Sequence, residues 1–332
     1  MAEWLVERGI GETRAAFVEG NEILEIRIAR EGGGPGLGEV WDARLTGKLG
    51  VRRGIVALGR DEALLEPLPA DLAEGGLVRV EVVREPIPER GRARLAKVRA
   101  IGDAGTAPQR VSAGAGDVPP GARVLRIDSG ETLDNYGWAE AIEQARSGLV
   151  AFPGGSLAIV PTPAMTTIDV DGDLPLADLA MAGVRAAAAA IRRFDIGGSI
   201  GIDLPTVRDK AVRQAAGDLF DALLPQPFER TAVNGFGFIQ IVRPRPRASI
   251  VERMQAAPVE AAALALLRLA ERTPGAGPRV LTAAPRVYAW LGARAPLIAE
   301  LERRIGAAAT LAQDPALALE AGHVHAASPL PH

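Results

Sequence analysis

The sequence contains no cysteine, and its only histidines, His323, His325 and His332, lie within the last ten positions. These absences disfavour a cysteine nucleophile, a buried histidine base and a zinc site built from Cys and His ligands. Carboxylates, arginine, lysine, serine and threonine remain to carry any chemistry. The lack of cysteine fits a reducing cytosol, although many secreted bacterial proteins also lack disulfides.

The chain also lacks an unbroken apolar run long enough to span a bilayer, and its charged start does not resemble a signal peptide. We therefore expect a soluble, cytoplasmic protein without membrane partners. Lysine occurs only at positions 48, 97 and 210, so the abundance of arginine is weak evidence for any particular site. The net charge of −3 predicts no general attraction to nucleic acid, and a polyanion site would have to be a local patch.

The first third of the chain is predicted to consist of short strands. Within an N-terminal segment, residues 1–34, two runs with strand-like patterns flank a turn and indicate a β-hairpin. The glycines of 32–38 have phosphate-loop spacing, but no helix follows them, which favours a connector over a nucleotide loop. Short strands with Gly/Pro turns then predict a small OB-fold-like barrel over residues 35–101.

The last hairpin of this predicted barrel is basic. Such a strip can follow the phosphate backbone of a nucleic acid, whereas the alternative is a solvated hairpin in an arginine-rich protein. Its cations, opposed only by Glu85 and Glu89, are Arg84, Arg90, Arg92, Arg94, Lys97 and Arg99.

The rest of the chain divides into a linker at 102–128, an α/β domain at 129–250 and a small α/β domain with a flexible tail at 251–332. The middle domain has a β-β-α-β-α-β order, in which Asp173 is predicted to cap the helix that follows it. The pattern favours an irregular tail over a metal site at His323 and His325.

Two aspartates, Asp169 and Asp203, lie at the ends of apolar strands in this middle domain. One helix and a return strand fit between them, so both carboxylates can meet at one edge of a sheet. Two adjacent carboxylates repel each other, which raises one pKa and favours a divalent cation such as Mg²⁺. The alternative is that both residues cap turns at strand ends, where aspartate is common.

The segment 197–201 also matches the G-x-S-x-G pattern of serine hydrolases. That motif requires a strand, a sharp turn and a helix in this order, with a histidine downstream. Here a helix is predicted before the motif and a strand after it, and the only downstream histidines lie in the tail. The pattern therefore disfavours a serine hydrolase.

At these motifs the chain resembles the ribonuclease E/G family of bacterial endoribonucleases. The resemblance extends more loosely to the N-terminal hairpin, the barrel and the C-terminal unit. The matching blocks are Leu149–Val160, Thr167–Asp171, Gly197–Asp203 and Gly235–Arg243.

The resemblance implies an OB-fold that binds single-stranded RNA, an RNase H-like layer that includes the N-terminal hairpin, and a DNase I-like catalytic layer that holds Mg²⁺. By position, Asp169 and Asp203 match the two metal-binding aspartates of the family. Asp171 stands where the family usually has an Asn that orients the first of them. An ionised Asp accepts hydrogen bonds but cannot donate one.

Several family features are missing. The linker is too short for the family's 5′-end sensor, and Gly235 replaces its end-sensing Arg, so we expect cleavage that does not depend on a 5′ monophosphate. The zinc-linking cysteines are absent, which excludes a zinc-linked dimer but not a homodimer held by other contacts. Residues 51–58 lack an aromatic stacking platform, so RNA affinity should depend on charge and be sensitive to salt.

We therefore predict an α+β protein in which an OB-fold-like barrel is inserted in an RNase H-like/DNase I-like catalytic layer, with a small C-terminal α/β unit. It would be a Mg²⁺-dependent endoribonuclease that cleaves single-stranded RNA with metal-activated water. Asp169 and Asp203 would bind the metal, supported by Asp171. A catalytically degenerate RNA-binding protein of the same fold is the alternative. The predicted RNA contacts are Arg84, Arg90, Arg92, Arg94, Lys97 and Arg243.

Overall fold

The computed structural model describes residues 1–88, 93–113, 118–126, 130–275 and 277–326. Within these ranges the chain is a mixed α+β protein with seven α-helices and four sheets, one of which closes into a barrel. The prediction of an α+β protein with an OB-like barrel is thus confirmed. Among the helices of these ranges, none combines the length and the apolar character that crossing a membrane requires.

The first sheet has the order β10-β1-β2-β3. The strands β2 and β3 form the predicted hairpin, and β1 is an additional strand that precedes it. Apolar side chains such as Leu5 and Ile26 alternate along these strands and join the largest hydrophobic core. The strands are β1 (Glu3–Arg8), β2 (Glu12–Glu19), β3 (Glu22–Arg30) and β10 (Arg123–Val124).

The barrel has its own hydrophobic core and follows the 32–38 connector directly, without a helix between. Five strands run in the order β5-β6-β8-β7-β4, and pairing of β4 with β5 closes the cylinder. β9 extends it by pairing with β4. The strands are β4 (Val40–Lys48), β5 (Gly54–Leu58), β6 (Asp61–Leu65), β7 (Leu77–Arg84), β8 (Ala96–Gly102) and β9 (Gln109–Ser112).

The segment predicted as a linker, 102–128, contributes β9 to the barrel and β10 to the first sheet. The sequence of this segment shows no periodicity that would indicate these strands, because each is short and is held by pairing with a strand distant in the chain. Residues 114–117, 127 and 128 of this segment lie outside the described residues.

The second large sheet has the order β11-β12-β13-β14-β16-β15, in which only β13 and β14 are parallel neighbours. Its strands are β11 (Leu149–Phe152), β12 (Gly155–Pro161), β13 (Thr166–Gly172), β14 (Gly198–Asp203), β15 (Glu229–Arg230) and β16 (Phe238–Arg243). The helices of this region are α1 (Trp138–Ser147), α2 (Leu176–Arg193), α3 (Lys210–Leu223) and α4 (Ile250–Ala256).

The helix α2 connects β13 to β14 and lies between this sheet and β3. Gly183 allows the close approach, because a Cβ there would lie 2.5 Å from Cγ1 of Val170. The predicted N-cap at Asp173 is wrong: the helix begins at Leu176 after Pro175, and no side chain caps it. The backbone N–H of Asp173 instead donates to the carbonyl of Gly154, which keeps this residue with the strands.

The C-terminal unit has the sheet order β18-β17-β19 and a separate hydrophobic core. Residues 323–326, expected to be irregular, form a strand antiparallel to β17. The elements are α5 (Pro258–Arg272), β17 (Arg279–Ala283), α6 (Pro285–Gly292), α7 (Ala295–Ile305), β18 (Ala309–Gln313) and β19 (His323–Ala326).

Candidate functional site

The structure brings Asp169 and Asp203 together at one edge of the sheet β11-β12-β13-β14-β16-β15, called the six-stranded sheet below. They are register partners on the parallel strands β13 and β14, and both are exposed. Adjacent strands lie about 4.8 Å apart, so partners in a parallel pair are side by side on the same face. Sequence separation alone did not determine this pairing, since it depends on the register of the two strands.

Asp171 shares this exposed face, because side chains alternate along a strand and it follows Asp169 by two positions. The intervening residues Ile168 and Val170 are buried against the helices, as are Ile200 and Ile202 on the neighbouring strand. Three carboxylates therefore lie at one end of a strand pair whose other face is anchored in the core.

This arrangement opposes ionisation of Asp169. Partial burial of its carboxyl group raises its pKa, and the charges of Asp171 and Asp203 raise it further. A cation between the carboxylates would relieve this repulsion. The donor set consists of hard oxygen atoms, which Mg²⁺ prefers, and Mg²⁺ commonly takes only one or two protein carboxylates, with water and phosphate completing its shell.

The described residues contain no group of three or more His, Cys, Asp or Glu side chains arranged to hold a metal ion. A site here would therefore rest on the Asp169–Asp203 pair rather than on a full protein cage. His323 and His325 lie on β19 with their ring centroids 4.9 Å apart, in the separate sheet of the C-terminal unit.

Two exposed cations follow Asp203 in the chain: Arg208, in the loop after β14, and Lys210, the first residue of α3. Neither is among the RNA contacts predicted from the sequence. The signal available in the sequence is that both cations follow the strand end at Asp203 within a few residues.

A second loop, between β15 and β16, approaches the same edge and carries Phe236. The side-chain Oδ1 of Asn234 accepts hydrogen bonds from the backbone N–H groups of Phe236 at 2.9 Å and Phe238 at 3.0 Å. The hydroxyl of Thr206 donates to the carbonyl of Phe236 at 3.0 Å. Phe238, the first residue of β16, is the register partner of Asp203.

The predicted RNA contact Arg243 does not approach the aspartates. It pairs with Gly198 at the start of β14, whereas Asp203 ends that strand. Its guanidinium donates to the carbonyl of Ile196 at 3.2 Å and is largely buried. This arrangement corresponds to a structural role at the opposite edge of the sheet.

The basic hairpin of the barrel is only partly available for RNA. Arg84 is half-buried and donates to the carbonyl of Leu95, and Lys97 lies 2.9 Å from a carboxylate oxygen of Glu66. Arg94 is exposed and its backbone bridges to Ile87. The remaining predicted contacts, Arg90 and Arg92, lie outside the described residues.

The barrel meets the six-stranded sheet at the edge away from Asp203. Pro88 of the barrel hairpin lines one cavity together with Pro161, Thr162 and Pro163, which form the turn between β12 and β13. From Thr166 at the start of β13 to Asp169 is about 10 Å along the strand. A strand of RNA held by the hairpin would have to cross the open face of the sheet to reach the aspartates.

The 32–38 connector lines a separate cavity of about 420 Å³. Each arginine in this cavity has a carboxylate partner: Arg30 lies 2.6 Å from Glu260, and Arg253 lies 2.8 Å from Glu85. The positive charge is therefore already compensated, so the cavity does not have the character of a phosphate site.

No protein-family model matches this chain, and no curated protein matches it.

Proposed function

We propose that the protein is a Mg²⁺-dependent endoribonuclease of the ribonuclease E/G type that cleaves single-stranded RNA. The observation that carries this proposal is the side-by-side register of Asp169 and Asp203, with the pKa of Asp169 raised by burial and by its acidic neighbours. In this proposal, the six-stranded sheet and its helices are the DNase I-like catalytic layer, and the N-terminal sheet belongs to an RNase H-like layer.

Each acidic residue has a distinct role in this proposal. Asp169 and Asp203 hold the ion, and Asp171, which can only accept hydrogen bonds when ionised, adds negative charge beside them. A bound Mg²⁺ supplies neutralisation of phosphodiester charge and a more acidic water. Arg208 and Lys210 bind the RNA backbone at the same edge, and the barrel hairpin binds it further away. No side chain forms a covalent intermediate.

The test compares the wild type with Asp169→Asn and Asp203→Asn on a fluorescent single-stranded RNA in Mg²⁺. Each substitution removes a metal ligand, so cleavage should fall at least about 100-fold, because metal stabilisation of transition-state charge amounts to several kcal/mol. Binding, measured by fluorescence anisotropy in EDTA, should persist. Asp178→Asn, which removes an exposed carboxylate from the first turn of α2, is the matched control and should cleave normally.

The same assay, run with 5′-monophosphate and 5′-hydroxyl RNAs, should give equal rates because Gly235 provides no cation for the terminal phosphate. A large preference for the monophosphate would refute this part of the proposal. RNA binding by the wild type without any cleavage would instead support a catalytically degenerate RNA-binding protein. Cleavage that survives both aspartate substitutions would exclude this pair as the metal site.

A further inference from the structure

Phe236 is held in an unusual position for a phenylalanine. Its side chain is 81% exposed, whereas the other phenylalanines of the chain are buried or half-buried. Exposing a large aromatic ring forgoes the favourable burial that folding normally achieves. An exposed aromatic ring on a rigid backbone is therefore a candidate binding residue.

The backbone around Phe236 is held by hydrogen bonds on both sides. Besides the bonds to the Asn234 side chain, the N–H of Asn234 donates to the carbonyl of Phe238 at 3.0 Å, which closes the loop. The N–H of Leu204 donates to the carbonyl of Gly237 at 3.2 Å, which attaches the loop to the residue after Asp203. The backbone that carries the exposed ring is thus held next to the end of β14.

The groups near the ring are of the kinds that bind a nucleic acid. Thr206, which donates to the carbonyl of Phe236, lies in the same loop as the exposed Arg208, and the exposed Lys210 begins α3 directly after this loop. Cations that can bind a phosphate backbone, beside an aromatic ring that can stack on a base, are the combination by which proteins bind single strands. The barrel segment 51–58 has no aromatic side chain that could stack on a base.

We infer that Phe236 forms a base-stacking subsite, in which its ring packs against a nucleobase of single-stranded RNA next to the Asp169–Asp203 pair. This inference rests on the proposed function and specifies how its substrate is positioned. Since every base has a π-face, the subsite would accept any base and would place the neighbouring phosphate near the carboxylates. Phe236 would be a positioning residue that improves binding.

The test measures binding of the full-length protein to single-stranded RNA that carries 2-aminopurine, in EDTA so that cleavage does not interfere. Phe236→Ala should weaken binding about 5- to 100-fold and abolish the quenching of 2-aminopurine at one position of the RNA. Phe236→Trp should retain both. Phe236→Leu, which keeps apolar bulk but lacks a ring, should behave as the Ala variant does.

Leu269→Ala is the matched control, since Leu269 is also exposed but lies on α5 in the C-terminal unit. An RNA with an abasic site at the quenched position should bind the wild type and Phe236→Ala equally. Equal affinity and quenching in the wild type and Phe236→Ala would overturn the inference. A changed oligomeric state without a change in RNA affinity would also overturn it and would assign Phe236 to self-association.

The outcomes separate this inference from the proposed activity. If the wild type cleaves RNA and Phe236→Ala alters neither binding nor KM, the stacking subsite is wrong while the nuclease stands. If the wild type never cleaves RNA but loses quenching in Phe236→Ala, the nuclease is wrong while the stacking subsite stands. If the wild type does not bind single-stranded RNA, both are wrong.

Discussion

The carboxyl group of Asp169 is surrounded by features that oppose its ionisation. Burial raises its pKa above the ordinary value of 3.8, and the charges of Asp171 and Asp203 add to this effect. The folded state therefore holds a proton on Asp169 more tightly than the unfolded state does. As the pH rises from 3.8 through the folded pKa, this group loses folding stability, and at neutral pH the full penalty is present.

Asp169→Asn should therefore stabilise the metal-free protein at pH 7. We expect its melting temperature in EDTA to rise by no more than about 2 °C, because the site is exposed and solvent screens the repulsion. Mg²⁺ should raise the melting temperature of the wild type, since a ligand that binds only the folded state stabilises it. Differential scanning calorimetry with and without Mg²⁺ measures both effects.

The same Mg²⁺ addition should have little effect on Asp169→Asn, whereas the control Asp178→Asn should respond as the wild type does. A lower melting temperature of Asp169→Asn in EDTA would show that the ionised carboxylate stabilises the fold, against the expectation from its neighbours.

The loop between β15 and β16 depends on one glycine. Gly237 has φ of 93°, in the left-handed region, and a Cβ on it would lie 2.2 Å from the carbonyl oxygen of Leu204. A side chain would therefore strain the backbone and push the loop away from the residue that follows Asp203. Gly235, two positions earlier, has open space where its Cβ would be and no positive φ.

Gly237→Ala should consequently destabilise the protein by about 1–3 kcal/mol and lower RNA cleavage, because both Phe236 and the end of β14 lose their alignment. Gly235→Ala is the matched control and should be within about 0.5 kcal/mol of the wild type. Urea denaturation and the RNA cleavage assay measure the two effects. Equal stability of both variants would indicate that the loop adapts to a side chain at position 237.

The N-terminal sheet and the C-terminal unit are joined by buried ion pairs. Glu7 lies 3.1 Å from Arg268 and 2.6 Å from Arg272, both on α5. Within the N-terminal sheet, Glu12 lies 2.6 Å from Arg14 and 3.7 Å from Arg30, and Arg30 also lies 2.6 Å from Glu260 on α5. Because these groups are largely removed from water, each carboxylate compensates cations that would otherwise be costly to bury.

Burial would raise the pKa of Glu12, but the charges of Arg14 and Arg30 outweigh burial and hold it below the ordinary value of 4.5. Ionised Glu12 therefore contributes stability above about pH 4.5, and this contribution is lost as the pH falls through the lowered pKa. Glu12→Gln should reduce the free energy of unfolding by about 3 kcal/mol at pH 7, since it removes the carboxylate that pairs with Arg14 and the second carboxylate beside Arg30.

The stability difference between Glu12→Gln and the wild type should be full at pH 7 and shrink below pH 4.5. Urea denaturation across this pH range measures it, with Glu19→Gln, an exposed substitution on the same strand, as the control. A stability difference that is independent of pH would mean that Glu12 acts through packing and not through its charge.

Local patterns predicted those features that depend on neighbours in sequence. Alternation of apolar residues indicated the strands that carry Asp169 and Asp203, and turn residues indicated the barrel, because side-chain periodicity reflects the face that each strand buries. The same approach failed at Asp173, whose backbone is held by the distant Gly154, and at β9 and β10, which form only through pairing with remote strands.

Amino-acid composition limits the chemistry that is available to carboxylates and cations, without cysteine and with histidine only near the C-terminus. Which of these groups meet depends on the fold. Strand register placed Asp203 beside Asp169 and left Arg243 at the opposite edge, and hydrogen bonds between two loops left Phe236 exposed. Register and loop contacts join residues far apart in the chain, so local sequence patterns carry little information about them.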